Sequence, residues 1–351
     1  MLITCSAQLH STHVLFNPKE YKIKMVYQLP VIDFSDFSNR SSTIAQEVLY
    51  ACKTIGFFYV INHEIPKEMV DNAFALSKKF YDLPLEKKDK FYIKNNRGYT
   101  GLFVQKLDPD TQKQGDHKEA FNFGPFVNGE YNYPLPEVFE ESKSEIESFS
   151  RACHGTITHI LEAFAIALQI PEEEGGREYF SRTHQYDEPK CGETLRFLKY
   201  PRGAESTYKE PVRAGAHTDY GSITLLFQKD IGGLEVQASR TEWISAPIID
   251  DAILVNVGGV MEYWTNGLFK STMHRVCFMP EHQTNDRYSI ACFGQPKRDV
   301  QLKVIPSNIV PKERPTFKEI PAHLNDKLLT SAEYLQLRLD AAYENSKQDL
   351  K

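Results

Sequence analysis

The chain has 351 residues, with 41 Lys plus Arg against 47 Asp plus Glu and a formal net charge of -6. That length suffices for one large core with elaborations, and an acidic balance without a basic cluster excludes nucleic acid as an obligate partner, because phosphate binding needs concentrated Lys and Arg. The cysteines at 5, 52, 153, 191, 277 and 292 contain no C-x-x-C pair, so they signal neither a disulfide framework nor a zinc ribbon, and reduced thiols in the cytoplasm are expected.

Residues 1–28 read as a disordered tail. Met1 to Lys24 lacks the basic-then-apolar run of a secretory signal and contains no arginine, and Met25 offers an alternative start. Leu29 to Phe34 predicts a short strand, and Ile44, Val48 and Cys52 recur at helical spacing before Gly56. Phe57 to Ile61 predicts a buried strand, with His63 at its end as a capping or core histidine. Met69, Ala73, Leu76 and Phe80 predict a helix that closes before Pro84, and Glu86 to Lys90 predicts a solvated charged face. Between Arg97 and Phe126, Gly98, Gly101, Gly115 and Gly124 among aromatics predict loops. Ile146, Phe149, Cys153, Ile157, Ile160, Leu161 and Phe164 then predict one long amphipathic helix over Phe139 to Leu168, ended by Pro171. His154 and His159 on it lack the i, i+4 spacing of a metal site.

From Thr194 to Phe293 short apolar runs alternate with Gly, Pro and Asp, the pattern of a sandwich or barrel. His217 and Asp219 stand two apart before Ile223 to Phe227, so a strand mouth would turn both to one side. His274, which opens Val276 to Met279, can supply a third ligand. Two imidazoles and one carboxylate on one face leave about three coordination positions open, the donor set of non-haem Fe(II), whereas a structural zinc site is closed and usually uses thiolates. Arg287 and Ser289 are again i and i+2, so a guanidinium and a hydroxyl share a face and can grip a carboxylate. A His-x-Asp pair alone arises by chance roughly once in a chain of this size; the combination with His274 and Arg287-x-Ser289 carries the signal.

With these motifs, Leu29 to Phe34, Gly56 to His63, Leu195 to Pro201, Gly232 to Val236 and Asn266 to Val276 resemble the iron/2-oxoglutarate-dependent dioxygenases, in the isopenicillin N synthase-like (iron/ascorbate-dependent oxidoreductase) branch. The resemblance runs from about Leu29 to near Tyr343. It implies a mainly β fold with flanking helices and a double-stranded β-helix (jelly-roll) core, the metal lying near the open end. The expected organisation is an N-terminal α/β region over 29–180, the jelly-roll over 181–300 and a C-terminal loop and helix over 301–351. The resemblance further implies Fe(2+) on His217, Asp219 and His274, and 2-oxoglutarate with its distal carboxylate at Arg287 and Ser289. O2 then takes the remaining position, and ascorbate is an optional addition. Tyr200 matches a tyrosine that faces the co-substrate in relatives; a place on the barrel wall is its other reading. Phe103, Phe123 and Phe293 are candidate substrate-pocket aromatics. The implied reaction couples decarboxylation of 2-oxoglutarate to hydroxylation or desaturation of a small molecule, with no membrane partner.

The sequence departs from the family pattern at Leu198, where plant relatives often have Asn, and at Gly259, where Asp is common. Neither position is a metal ligand. Downstream, Pro306, Pro311, Pro315 and Pro321 predict a surface loop, and Thr330-x-x-Glu333 is a capping box opening a C-terminal helix expected to pack on the core, with a cover over the pocket as its other reading. Two rivals stay open: an Fe(II) oxidase of isopenicillin N synthase type that does not use 2-oxoglutarate, and a catalytically silent binding protein. A dinucleotide dehydrogenase is disfavoured, because Gly232-Gly233 and Gly258-Gly259 lie among strand patterns without G-x-G-x-x-G. Substrate identity and oligomeric state are not legible in the sequence.

Overall fold

The computed structural model describes residues 28–348 apart from 109–110, 113, 189, 203–210, 279–283, 318–319 and 325–326; the tail and the Met25 start lie outside the described residues. In chain order the elements are β1 (Val31–Asp33), α1 (Phe37–Thr54), β2 (Phe57–Ile61), α2 (Lys67–Tyr81), α3 (Leu85–Lys88), β3 (Gly98–Thr100), β4 (Glu119–Phe123), α4 (Glu137–Glu140) and α5 (Lys143–Ala167). There follow β5 (Thr194–Tyr200), β6 (Val212–His217), β7 (Ile223–Gln228), β8 (Leu234–Gln237), β9 (Trp243–Ser245), β10 (Ile253–Val257), α6 (Gly259–Trp264), β11 (His274–Cys277), β12 (Arg287–Gly294) and α7 (Ser331–Gln348). The strands form an eight-stranded sheet, ordered β1-β2-β10-β7-β12-β5-β4-β3, and a four-stranded sheet, ordered β6-β11-β8-β9. This is the jelly-roll core with flanking helices.

Side-chain alternation gives the large sheet two buried faces. On β2, Phe57 and Tyr59 pack between the sheets with Leu198, Val236 and Val276. Phe58 and Val60 point the other way, into a core shared with Ile44 and Val48 of α1 and Ile157 and Ile160 of α5. Burial on both faces is why this strand reads as an unbroken apolar run rather than an alternating one. The N-terminal strands belong to the same sheet: β2 pairs with β10, and β4 with β5. Among the described residues no helix is long and apolar enough to cross a membrane.

Several expectations need correction. The stretch from Arg97 to Phe126 is not all loop, because β3 and β4 extend the sheet beyond β5. The long helix is broken at Ser142, which leaves helical geometry (φ -109, ψ 22) and begins α5. Phe139 and Ile146 are seven apart, two helical turns, so the apolar phase continues across the break and hides it from a periodicity reading. The run from Glu86 to Lys90 is not wholly solvated: Lys88 is buried and its Nζ lies 2.5 Å from Glu119 Oε1, which also accepts from the Tyr99 hydroxyl. Strand β4 brings the carboxylate that makes burying this lysine tolerable. The capping box is formed as expected, with Glu333 N–H donating to Thr330 Oγ1 (3.2 Å) and Thr330 N–H to Glu333 Oε2 (2.8 Å).

Candidate metal and co-substrate site

The small and large sheets place the polar residues at one end of the space between them. His217 ends β6, His274 begins β11, and the two are register partners across an antiparallel pair. Asp219 follows two residues beyond His217, in the turn that leads to β7. One ligand atom from each lies within 4.8 Å of the others. Asp219 Oδ1 is 4.0 Å from His217 Nε2 and 3.9 Å from His274 Nε2.

Hydrogen bonds behind the three residues fix their ligand atoms. His217 Nδ1 is 2.8 Å from Gly215 O and His274 Nδ1 is 3.1 Å from Thr272 O. A carbonyl only accepts, so each Nδ1 carries its proton and each Nε2 presents a lone pair to the cavity. Asp219 Oδ2 accepts from Thr224 Oγ1 (2.6 Å) and Asn256 Nδ2 (2.8 Å), which leaves Oδ1 facing the imidazoles. Burial, aided by the neighbouring His274, holds His217 below the ordinary imidazole range, so it stays a neutral donor. Burial alone would raise Asp219, but the imidazoles and the two hydrogen bonds outweigh it and keep the carboxyl below its usual range. Two imidazole Nε2 atoms and a carboxylate fit a divalent ion of the Fe(II) kind. The double substitution Thr224→Val with Asn256→Ala is expected to weaken Fe(II) affinity by about 10–100-fold without unfolding the protein, since these bonds orient a ligand but do not supply one. Unchanged affinity in an anaerobic Fe(II) titration would refute that role.

A second cluster lies further along the same cavity. Arg287 and Tyr200 are register partners on β12 and β5, and Ser289 lies opposite Leu198. The Arg287 guanidinium is 5.0 Å from the Tyr200 ring, and it donates to Ser289 Oγ (3.3 Å) and Gln228 Oε1 (3.2 Å). Arg287 is 1% exposed, and its Nε has no partner. A buried guanidinium facing neutral acceptors and an unpaired N–H fits an incoming carboxylate, because desolvated charge is costly until it is matched. Burial holds the Tyr200 phenol up at about 12, so it remains a hydrogen-bond donor.

The aromatic candidates separate. Phe293 lines the cavity. Phe123 does not: β4 turns Phe121 and Phe123 to the helix-covered face, where Phe123 packs on Phe121 (4.8 Å), Phe139 (4.9 Å) and Phe197 (5.1 Å). Strand period sends the intervening Asn122 to the cavity side. Phe103 also lies outside the cavity wall, 41% exposed and stacked on His117 at 5.3 Å.

Sequence reading missed Arg196, Lys118, Asn96 and Gln295, all in the cavity wall. For Arg196 a signal was present: if Tyr200 faces the site, Leu198, Arg196 and Thr194 share its face. Of the two places open to the C-terminal helix, packing on the core or covering the pocket, α7 takes both. Leu335 and Leu339 form part of the cavity wall, and Arg338 Nη2 donates to Oγ1 of Thr218, between His217 and Asp219 (2.8 Å). Gly259 makes room for this docking, since a Cβ there would meet the Tyr334 hydroxyl and lie 3.1 Å from Arg338 Nη1.

Two family models match the chain, one described as the N-terminal region of the non-haem dioxygenase in morphine synthesis, over residues 29–145, and one as the 2OG-Fe(II) oxygenase superfamily, over residues 191–296. Among curated relatives, UPF0676 protein C1494.01 of Schizosaccharomyces pombe is 35% identical over 325 residues, covering 90% of this chain and 93% of the relative. The 1-aminocyclopropane-1-carboxylate oxidase of Dictyostelium discoideum is 32% identical, covering 80% of this chain and 85% of the relative. Among solved structures, a full-length Neurospora crassa protein in complex with alpha-KG and thymine superposes with a TM-score of 0.76 at 30% identity, covering 91% of this chain and 98% of that one.

Proposed function

This chain belongs to the 2OG-Fe(II) oxygenase superfamily, and from that premise we propose that His217, Asp219 and His274 are its Fe(II) ligands and Arg287, Ser289 and Tyr200 its 2-oxoglutarate anchor. It is a 2-oxoglutarate-dependent dioxygenase, using Fe(2+), 2-oxoglutarate and O2 to oxidise a small molecule. The observation that carries the assignment is the pairing of two features in one cavity: three convergent ligand atoms, and a buried guanidinium without a matching anion.

The chemistry supplied by Fe(2+), 2-oxoglutarate and O2 when bound is decarboxylation to succinate and CO2, coupled to oxidation of a substrate C–H bond. The protein's part is placement. His217 and His274 present Nε2 atoms from facing strands, and Thr224 with Asn256 keeps Asp219 Oδ1 turned toward them. Arg287 offers charge-assisted donors to the distal carboxylate of 2-oxoglutarate, while Ser289 and the protonated Tyr200 add neutral ones. Leu198, Leu226, Leu234 and Val276 keep the intervening wall apolar, which excludes water from the reacting centre. Cys52, Cys153, Cys191, Cys277 and Cys292 are buried and free, which supports a place in the reducing cytoplasm.

The test is an anaerobic Fe(II) titration with and without 2-oxoglutarate. A weak visible band near ~500 nm from the chelated keto acid is expected. Bound iron without the band would sink the anchor assignment and favour an Fe(II) oxidase that does not take the keto acid.

A further inference from the structure

We propose that Arg196 anchors the substrate, and that the substrate is a planar ring compound offering an oxygen acceptor to Arg196 and an N–H or O–H donor to Gln295. This rests on the oxygenase assignment above. On the cavity face of β5 stand Thr194, Arg196, Leu198 and Tyr200, opposite Phe293, Ala291, Ser289 and Arg287 of β12. The Tyr200 and Arg287 end is the one assigned to 2-oxoglutarate. Arg196 is paired in register with Ala291, four residues from Arg287, or about 13 Å along the strand. The side chains also diverge, Arg196 reaching Phe293 and Arg287 the Tyr200 ring, so the two guanidiniums serve two different ligands.

Arg196 is held in place without being neutralised. Its Nε donates to Asn122 Oδ1 (2.7 Å), and the buried Asn122 in turn donates to Asn96 Oδ1 (2.9 Å). The guanidinium lies 5.0 Å from the centre of the Phe293 ring. The bond through Nε leaves the two terminal NH2 groups in a fixed orientation. The cavity lysine, Lys118, is matched by Asp116 at 2.8 Å. The formal charges of Fe(2+), Asp219, Arg287 and a dianionic keto acid cancel, so the positive charge of Arg196 is the one left over among the described residues of this cavity. An anionic or carbonyl oxygen on the substrate would match it.

A second observation comes from the same end of the cavity. Gln295 follows β12 just past Phe293, lines the cavity, is 7% exposed, and its Oε1 has no partner. A buried amide oxygen without a donor is costly, and a substrate N–H or O–H would satisfy it. Phe293, whose ring the Arg196 guanidinium overlies, also lines the cavity, and this guanidinium and ring together offer a planar surface that favours a flat ring. Acceptor, donor and planarity together describe a cyclic amide or imide, or a hydroxylated aromatic acid.

Two probes separate these sources: thymine, with ring carbonyls and N–H groups, and 4-hydroxybenzoate, with a carboxylate and a hydroxyl. Each is titrated under nitrogen into protein loaded with Fe(II) and 2-oxoglutarate, following the visible band and intrinsic fluorescence. At least one probe is expected to bind saturably, and Arg196→Gln to weaken it by at least about tenfold, as for loss of a charged hydrogen bond. Affinity for 2-oxoglutarate should stay within about twofold, since Arg196 lies away from its anchor. Thymine alone binding assigns the cyclic amide class, and 4-hydroxybenzoate alone the acid class. The proposal is overturned if neither probe binds at up to about 10 mM, the affinity of a very weak contact, or if Arg196→Gln binds as well as wild type. Loss of the 2-oxoglutarate band in Arg196→Gln would also overturn it, by moving Arg196 to the co-substrate. Absence of that band in wild type would instead count against the oxygenase assignment itself.

Discussion

Asp219→Ala is expected to abolish turnover and to weaken Fe(II) binding by on the order of 10²–10³-fold. Metal binding contributes roughly 10–16 kcal/mol in a four-ligand protein site, so one ligand carries about 3–4 kcal/mol, and each 1.4 kcal/mol is tenfold. Removal of Asp219 also strands its two donors, Thr224 Oγ1 and Asn256 Nδ2, both in a buried setting. The fold should survive, because neither core depends on this carboxylate: the large apolar clusters lie beside and behind the site. His274→Ala should match it in iron affinity, and circular dichroism of both variants should overlay wild type. Retention of stoichiometric, tight Fe(II) in Asp219→Ala would mean that the ion sits elsewhere, and the ligand assignment would fall.

Arg287→Ala should leave Fe(II) affinity nearly unchanged and weaken 2-oxoglutarate by about 30-fold to 4000-fold, the range for truncating one partner of a buried charge pair at about 2–5 kcal/mol. The split between the two ligands is the informative part. Arg287 reaches Ser289, Gln228 and the Tyr200 ring, so its loss disturbs the anchor end and not the imidazoles. Arg287→Lys keeps the charge but not the planar fork, and its affinity should fall between wild type and Arg287→Ala. Ser289→Ala should cost far less, as expected for a neutral donor. Equal losses of Fe(II) and 2-oxoglutarate in Arg287→Ala would point to collapse of the site instead of loss of an anchor, and a thermal melt would tell the two apart.

The docking of α7 bears on both variants. Arg338 bonds Thr218, between His217 and Asp219, and Leu335 and Leu339 close part of the cavity wall. The C-terminal helix is therefore tied to the site through Arg338, which also lies 4.7 Å from the Tyr220 ring, and through Leu335 and Leu339, and Gly259 provides the gap into which Tyr334 and Arg338 fit. The departure from the family pattern at Gly259 thus has a steric counterpart in this chain, whereas Leu198 lies in the cavity wall opposite Ser289 as an apolar surface.

The sequence by itself determined the parts of this protein that depend on local pattern. Period-two spacing placed Arg287 with Ser289 on one strand face, Phe57 to Ile61 declared a strand covered on both sides, and Thr330 with Glu333 announced a helix start; each signal lies within a few residues of chain. The motifs at His217, Asp219, His274 and Arg287, together with the segments that resemble the iron/2-oxoglutarate-dependent dioxygenases, pointed to the family while leaving two rival functions open. Tertiary structure alone decided what distant segments bring to each other. Phe123 faces the helices and Asn122 the cavity only because β4 pairs with β5 in one particular register. Lys88, on α3, is buried because Glu119 arrives from strand β4, and α7 lines the site because a helix that begins at Ser331 folds back over the turn at Thr218. In each case a side chain's environment is set by a pairing register or a docking angle that joins residues tens to hundreds of positions apart, and no local periodicity encodes that choice.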